Sequence, residues 1–567
     1  MIRALKKSPF KMTGGVGMIG GVGYGTYLYK TDEGTSRMMR AYGTFGPVVL
    51  HYRLLEARQK YIPEMWPVCD QDWIDLDNRY AQPTIESIGN LQGMYCKYGQ
   101  TAAGLTNTFS DIWVHELRKL ESDVPPRSAS VVHQTIREEL TKLGGGTQSE
   151  DDVFESFDPI PLGSASIGQV HRARLKTDGR EVAVKVQYPD VGQLFRDDMR
   201  AIRRFCELLA PENVCSLAAL EKQNATELDY TIEASNLKEV YQNMKRAGFL
   251  PTEVLVPLPI DDLSTKRMLV MELLPGPKLI DGVRAFFKDW AQKNGTTLEA
   301  LETEARRKID QEGIPAKYEG PSARQIQRYQ TFVHCRNTLL NGGIALHNAT
   351  IGRMRKRTWE YRTDTVGLNL PRLVDILMRT HGYQLLKDGC FNADPHGGNF
   401  LLLPDDRIGM IDYGATKRLT RNERLNVCLI YAALHRNDED ILYELSEVAG
   451  YKSRYGRKDV LMRLMRFSYN TWGKDLMKGK NVQQFIDELK TLDPWDEVPD
   501  NLVMVSFMSI RLRSLALGMN HPVCCSDWWG PIAEEVLREE GLPYESWNRD
   551  VMIQHRPEVN MQKFKFG

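Results

Sequence analysis

At 567 residues the chain exceeds one ordinary domain, so two lobes or more are expected. Lys plus Arg and Asp plus Glu both total 74, which excludes polyelectrolyte character and removes any support for nucleic-acid binding. Hydrophobic residues make up 42%, enough for ordinary cores, and the nine cysteines include no C-x-x-C pair, which argues against a structural zinc site or disulfide framework and for reduced thiols in an intracellular compartment.

Residues 1–36 read as a targeting and anchoring segment. Arg3, Lys6, Lys7 and Lys11 precede the first acid, Asp32, and a basic, acid-free start suits organelle import. Met12 to Tyr29 carries no charge and is flanked by Lys11 and Lys30, which predicts a single transmembrane helix whose end lysines snorkel. Gly17, Gly21 and Gly25, four apart, would flatten one face of it for close packing. Seven glycines in that stretch also fit a flexible linker behind a targeting peptide.

Residues 37–150 read as a helical extension. Apolar residues recur at three- and four-residue spacing from Thr84 to Leu120, and Lys97-Tyr98-Gly99-Gln100 sits inside that pattern. Taken alone it means little, since a helical Gly often marks packing and Lys and Gln often face water.

Residues 151–275 read as a small lobe. Gly163, Ser164, Ala165 and Ser166 form a loop of small residues whose amides can approach phosphate. A strand follows, then the hairpin signal Asp178-Gly179, then Glu181-Val-Ala-Val-Lys-Val-Gln187. This is the layout of a kinase nucleotide loop and lysine strand, with Lys185 on the α- and β-phosphates of ATP. Helices are predicted over Val191 to Leu209 and Leu217 to Met244. The second carries Glu227, Asp229 and Glu233, one of which must hold Lys185 if the kinase logic applies, since a buried ammonium needs a partner. Glu233 is favoured and Glu227 is the alternative; a solvated acidic face reads the same way. Two strands, Val254 to Leu258 and Arg267 to Leu273, lead into Glu272-Leu-Leu-Pro-Gly276, a hinge whose backbone would meet the adenine.

Residues 276–520 read as a large lobe, with an insertion at about 289–361 and a tail from 521 to 567. Its centre is Phe391 to Gly414. Phe400 to Leu403 and Ile408 to Ile411 read as a strand and its return, broken at Pro404-Asp405-Asp406. Asp394 and Asn399 at one end and Asp412-Tyr413-Gly414 at the other match the D-x-x-x-x-N and D-F-G pair of protein kinases. Phosphoryl transfer is mostly positioning and charge neutralisation. Asn399 and Asp412 offer hard oxygens for Mg²⁺, and Asp394 can orient or deprotonate the attacking oxygen. A loop of turn-formers would look much like Asp394 to Asn399 taken alone. No A-P-E follows Asp412-Tyr-Gly, so the peptide-docking segment of protein kinases is missing.

Together the motifs resemble the UbiB family, the aarF-domain-containing, protein-kinase-like proteins of mitochondria, plastids and bacteria. The resemblance rests on Lys97/Gly99/Gln100, Ser166-Ile-Gly-Gln-Val170, V-A-V-K at Lys185, Glu227 to Asn236, Ala393 to Asn399, and Asp412-Tyr-Gly. It implies an α+β, two-lobed kinase-like fold with a helical N-terminal extension. Lys97 and Gln100 would lie in an element folded over the active site, opposite the Glu227/Asp229 pair. Ala165 would sit in the nucleotide loop, Lys185 and Glu233 would form the ion pair, Asp394 would be the catalytic-loop Asp, and Asn399 and Asp412 would ligate Mg²⁺. ATP and Mg²⁺ are the implied cofactors. The implied partners are a membrane lipid or prenylquinone intermediate and a lipid-biosynthesis complex, at the mitochondrial inner membrane or in a plastid. Three departures stand out: Gly163-Ser164-Ala165 is not a run of alanines, Asn392 stands where many members have His, and Gly397 where many have Pro. An ATPase or small-molecule kinase is expected first, a nucleotide-gated lipid-binding module with little turnover second, a protein kinase last.

Overall fold

The computed structural model describes residues 32–104, 110–122, 126–144, 149–164, 167–209, 228–315, 317–355, 357–363, 367–480, 482–558 and 561–563. None of the described helices is long and apolar enough to cross a membrane. The expected transmembrane helix is therefore withdrawn. The segment it was placed on, 12–29, lies outside the described residues, and its seven glycines give it little of the apolar surface a spanning helix needs. The longest described helix, Glu33–Tyr61, is charged at both ends.

The chain divides into two compact units, Met1–Asp229 with Thr265–Leu269, and Tyr230–Ser264 with Val270–Gly567. In the first, helices α1 (Glu33–Tyr61), α2 (Asp70–Leu91), α3 (Gly93–Gly104), α4 (Asp111–Ser122) and α5 (Ala129–Leu143) precede an antiparallel sheet. Ala41, Ile85, Ile88, Tyr95, Leu117 and Leu120 share one core among α1 to α4. The sheet holds β1 (Phe154–Phe157), β2 (Gly163–Ser164), β3 (Gly168–Leu175) and β4 (Glu181–Gln187), and α6 (Val191–Leu209) follows. β3 and β4 pair from Gly168↔Gln187 to Arg174↔Glu181 around a turn in which Gly179 takes φ +70°, a conformation that suits glycine. Arg267 returns beside β4, its carbonyl accepting from Gln187 N–H at 2.9 Å.

Arg37 and Asp198 lock the helical part together. Both are buried, Arg37 Nε and Nη2 reach Asp198 Oδ1 and Oδ2 at 2.9 and 2.7 Å, and Arg37 Nη1 also donates to Leu91 C=O. Asp198 accepts from Met94 N–H at 3.2 Å, which satisfies an open donor in the first turn of α3. A side chain on Gly93, φ +58°, would stand 2.9 Å from Asp198 Oδ2, so only glycine fits the α2–α3 corner. Burial pushes the Asp198 carboxyl up, and the Arg37 guanidinium pulls it back.

The second unit comprises α7 (Tyr230–Arg246), β5 (Val254–Leu255), the part of β6 (Met268–Glu272) from Val270 onward, α8 (Leu279–Lys293), α9 (Leu298–Glu312), α10 (Ala323–His347), α11 (Leu370–Tyr383), β7 (Cys390–Asn392), β8 (Phe400–Leu403), β9 (Arg407–Met410), β10 (Thr416–Arg418), α12 (Arg421–Arg436) and a helical tail. The chain passes between the units within β6. The tail includes α13 (Asp500–Gly518) and α14 (Cys525–Glu539). α12 opens on a Thr420/Glu423 capping box, and every residue from Leu425 to Leu434 is buried, so it is the core of this unit. Each large apolar side chain buried there contributes roughly 1.5–3 kcal/mol. Trp529 of α14 stands edge-on to Tyr431, with centroids 4.9 Å apart, and donates from Nε1 to Met378 C=O at 2.7 Å, joining α14, α12 and α11.

Candidate functional site

The β8–β9 hairpin pairs Phe400↔Met410 through Leu403↔Arg407, with Asp405 and Asp406 at positive φ in the turn. β5 runs parallel on its outer side. β7 and β10 form a second short ladder, Asn392↔Thr416 to Cys390↔Arg418. The two polar clusters of the sequence leave these ladders together. Asn392, buried at the end of β7, ties them: its Nδ2 donates to Asp412 C=O at 2.9 Å, and its Oδ1 accepts from Asp394 N–H at 2.8 Å. One side chain thus sets the backbone of both aspartates.

Asn399 closes the loop from its other end. Its Nδ2 donates to Asp394 C=O at 3.0 Å, and its own carbonyl accepts from Ile411 N–H at 3.1 Å, beside Asp412. Asp412 Oδ1 accepts from Gly414 N–H at 3.0 Å in a tight Asx turn. Glu233, in the first turn of α7 and 4% exposed, converges on the same turn: a Cβ on Gly414 would lie 3.4 Å from Asp412 Oδ1 and 3.7 Å from Glu233 Oε2. The Tyr413 phenol is buried, takes a hydrogen bond from Gln384 Nε2 at 2.9 Å, and is held well above its usual range by burial. Tyr413 C=O accepts from Asn236 Nδ2 at 2.9 Å, so α7 is pinned to the Asp412-Tyr-Gly turn.

Asp394 has a partner from far along the chain. Arg511 of α13 places Nε 2.7 Å from Asp394 Oδ1, and both groups are largely shielded from solvent. Nothing in the local sequence of α13 marks that arginine. Asn236 ends the Glu227 to Asn236 motif, where the sequence gives it no role, and a lone Asn before an Ala-Asp step is the one signal the sequence offers for Asn392.

The residues present suit Mg²⁺. The donor end of Asn399 is committed to Asp394 C=O, so its amide presents its carbonyl oxygen elsewhere, and with the Asp412 carboxylate that makes a hard-oxygen pair. Among the described residues no group of three or more His, Cys, Asp or Glu forms a ready-made metal cage.

The remaining expected residues are described within their own units. Glu272 ends β6, accepts from Leu258 N–H at 3.1 Å through its carboxylate, and donates from its own N–H to Leu258 C=O at 3.1 Å. Lys185, Gly163 and Ser164 belong to the first unit. Lys185 sits on β4 opposite Val170, and Ser164 Oγ lies 3.2 Å from Tyr188 OH, which donates to buried Gln169 at 2.9 Å. This network holds the base of the small-residue loop; Ala165 and Ser166 lie outside the described residues. Lys97 and Gly99 are on α3, and a Cβ on Gly99 would meet Leu120 Cδ1 at 2.4 Å, so close helix packing accounts for that glycine. The Gln100 side chain and all of Glu227 lie outside the described residues. Asp229 precedes α7 rather than lying in it, with Lys266 Nζ 3.8 Å away.

The family description "ABC1 atypical kinase-like domain" matches residues 119–312 and 358–446. "AarF domain-containing protein kinase 1" of Gallus gallus is 30% identical over 48% of this chain and 50% of its own length. "Probable protein kinase UbiB" of Shewanella denitrificans is 30% identical over 41% of this chain and 43% of its own. "Protein ACTIVITY OF BC1 COMPLEX KINASE 1, chloroplastic" of Arabidopsis thaliana is 27% identical over 80% of this chain and 51% of its own. The chain thus spans about half the length of these relatives. The structure of Rv3197 with erythromycin from Mycobacterium tuberculosis aligns at TM-score 0.41 and 20% identity over 84% of this chain and 100% of its own, a likeness too slight to bear on fold or ligand. With the kinase-type pair of polar clusters built as described and the domain match covering residues 119–312 and 358–446, the chain belongs to the ABC1/AarF family of atypical kinase-like proteins.

Proposed function

We propose that this chain binds Mg-ATP and works as an atypical kinase or ATPase in prenylquinone or related lipid metabolism within an organelle. The observation that carries the reading is the Asn392 bridge, which holds Asp394 and Asp412 in one hydrogen-bonded frame with Asn399 beside them. Phosphoryl transfer asks for such rigid placement of oxygens more than for reactive side chains. In this reading Asn399 and Asp412 hold Mg²⁺, which neutralises phosphate charge when bound. Asp394 orients the attacking water or hydroxyl, Lys185 binds phosphate, and Glu233 completes the acidic side of the Asp412 turn. The prenylquinone role follows from the UbiB resemblance. The organelle follows from it too, and from a plant relative whose name reads chloroplastic.

A second reading is a nucleotide-gated binding module with little turnover. It draws on Arg511, which occupies one carboxylate oxygen of Asp394.

Thermal unfolding of the purified chain with ATP, with Mg²⁺ and with both tests the reading. Ligand at about a hundred times its dissociation constant adds roughly 2.7 kcal/mol of stability. The stabilisation should require ATP and Mg²⁺ together and vanish in Asp412→Asn. Phosphate release by wild type, lost in Asp394→Asn, then separates turnover from binding. A chain indifferent to ATP and Mg²⁺ would refute both readings.

A further inference from the structure

The insertion carries an apolar surface turned outward. On α10 and the short helical turns that prolong it, Phe332, Leu339, Leu346 and Met354 are exposed by 61, 79, 68 and 85%. Their spacing is close to seven, which keeps them on one stripe of the helix. The opposite side is fully engaged. Gln330, Asn337, Asn341 and Asn348 donate in turn to the carbonyls of Gly367, Thr363, Arg362 and Trp359, at 2.8–3.1 Å, so residues 357–363, with Gly367, lie back along α10 as a pinned strap. At 3.6 residues per turn those four amides fall across the helix from Phe332, Leu339 and Leu346. The apolar stripe therefore faces away from everything that anchors the helix. Gly342 and Gly343 agree, because a Cβ on either would meet nothing within 4 Å.

Charge identifies what this face suits. Between residues 323 and 363 the chain has seven arginines and one acid, Glu360. Arg353, Arg355 and Arg357 are exposed where the strap begins, close in sequence to Trp359, which stacks on His347 at 3.8 Å, and Arg362 is exposed farther along it beside Asn341. An exposed Phe/Leu/Met stripe, an aromatic at its edge and arginines whose long stems can reach around it is the chemistry of a helix lying in a lipid headgroup layer. A second copy of the same face would bring like charges together, so self-association is disfavoured.

We infer that the outward face of α10 and its basic end is a docking surface for an anionic lipid bilayer, on which the chain rests peripherally. The surface lies within the insertion and is independent of the nucleotide reading, so failure of Mg-ATP binding would leave it standing.

The test is co-sedimentation of the full chain with vesicles of phosphatidylcholine, alone or with roughly a third phosphatidylglycerol. Wild type should bind the anionic vesicles at least about tenfold more tightly than the neutral ones and lose affinity as salt rises. Two variants isolate the face: Leu339→Glu with Leu346→Glu, and Arg353→Glu with Arg355→Glu and Arg357→Glu. Each should weaken anionic binding by about tenfold or more while leaving the thermal midpoint unchanged, since all five side chains are exposed. Variants that sediment like wild type would overturn the inference, because another part of the chain would then hold the lipid. Equal binding to neutral vesicles, or a wild-type dimer that Leu339→Glu with Leu346→Glu turns into monomer, would overturn it too.

Discussion

Arg511 Nε lies 2.7 Å from Asp394 Oδ1, so a helix from the C-terminal tail reaches the aspartate proposed to orient the attacking oxygen. The pair fixes one carboxylate oxygen of that aspartate. Arg511→Gln should lower nucleotide turnover by about 10- to 100-fold with less than about a threefold change in nucleotide KM, because the contact acts on orientation rather than on binding. Steady-state kinetics at saturating Mg²⁺ check this. Unchanged turnover would assign the ion pair to packing alone.

Asn392 is the other unexpected member of the site. Replacing it with Leu keeps the volume but strands the Asp394 N–H and the Asp412 C=O in a partly buried setting. A cost of roughly 2–4 kcal/mol is expected from two such losses. Urea unfolding should show it, and Mg-ATP should stabilise the variant less than wild type. A cost below about 0.5 kcal/mol, the range of an ordinary surface change, would mean that water replaces the bridge.

The Arg37–Asp198 pair predicts strong non-additivity. Asp198→Ala leaves a buried guanidinium, and Arg37→Ala leaves a buried carboxylate that also caps α3, so each single change should cost about 3–5 kcal/mol. Arg37→Ala with Asp198→Ala removes both charges and should cost less than the sum of the single changes. Chemical denaturation of the four proteins gives the coupling energy directly. Additive costs would show that the two residues act independently.

His381 sets part of the acid sensitivity of the second unit. Burial pushes its imidazole down to about 4, while Nδ1 donates to Leu377 C=O at 2.8 Å. An unfolded histidine titrates near 6.5, so between 6.5 and about 4 the unfolded state binds the extra proton. Stability from this group is complete above 6.5 and drains away as pH falls through that window, by up to roughly 3 kcal/mol. Asp388 works against it, because burial pushes its carboxyl up to about 6 and its protonation favours the folded state on acidification. The difference between wild type and His381→Leu isolates the histidine. The variant should lose less stability between pH 7 and pH 4.5, and parallel curves would refute the assignment.

Much of this site was legible because its chemistry is local. Asp394, Asn399 and Asp412 lie within twenty residues of one another, and alternating apolar runs with Pro404-Asp405-Asp406 between them announce a hairpin that must bring its ends together. The helix at Val191–Leu209 and the turn at Asp178-Gly179 were readable for the same reason. Arg511, Asn236 and the Arg37–Asp198 pair were not, because each acts across a sequence gap that no local pattern spans. The transmembrane expectation went astray on a local signal as well: absence of charge is necessary for a spanning helix, but glycine contributes almost no apolar surface.

The sequence by itself determined the family, the small-residue loop, the lysine strand and the paired aspartates, since those depend on residue type at short spacing. Only the tertiary structure decided which side chains hold them in place. It also decided that the insertion turns its apolar stripe outward, because the Gln330 to Asn348 amides claim the inner face for the strap. Periodicity says that a helix has two faces, and which one is covered depends on what packs against it.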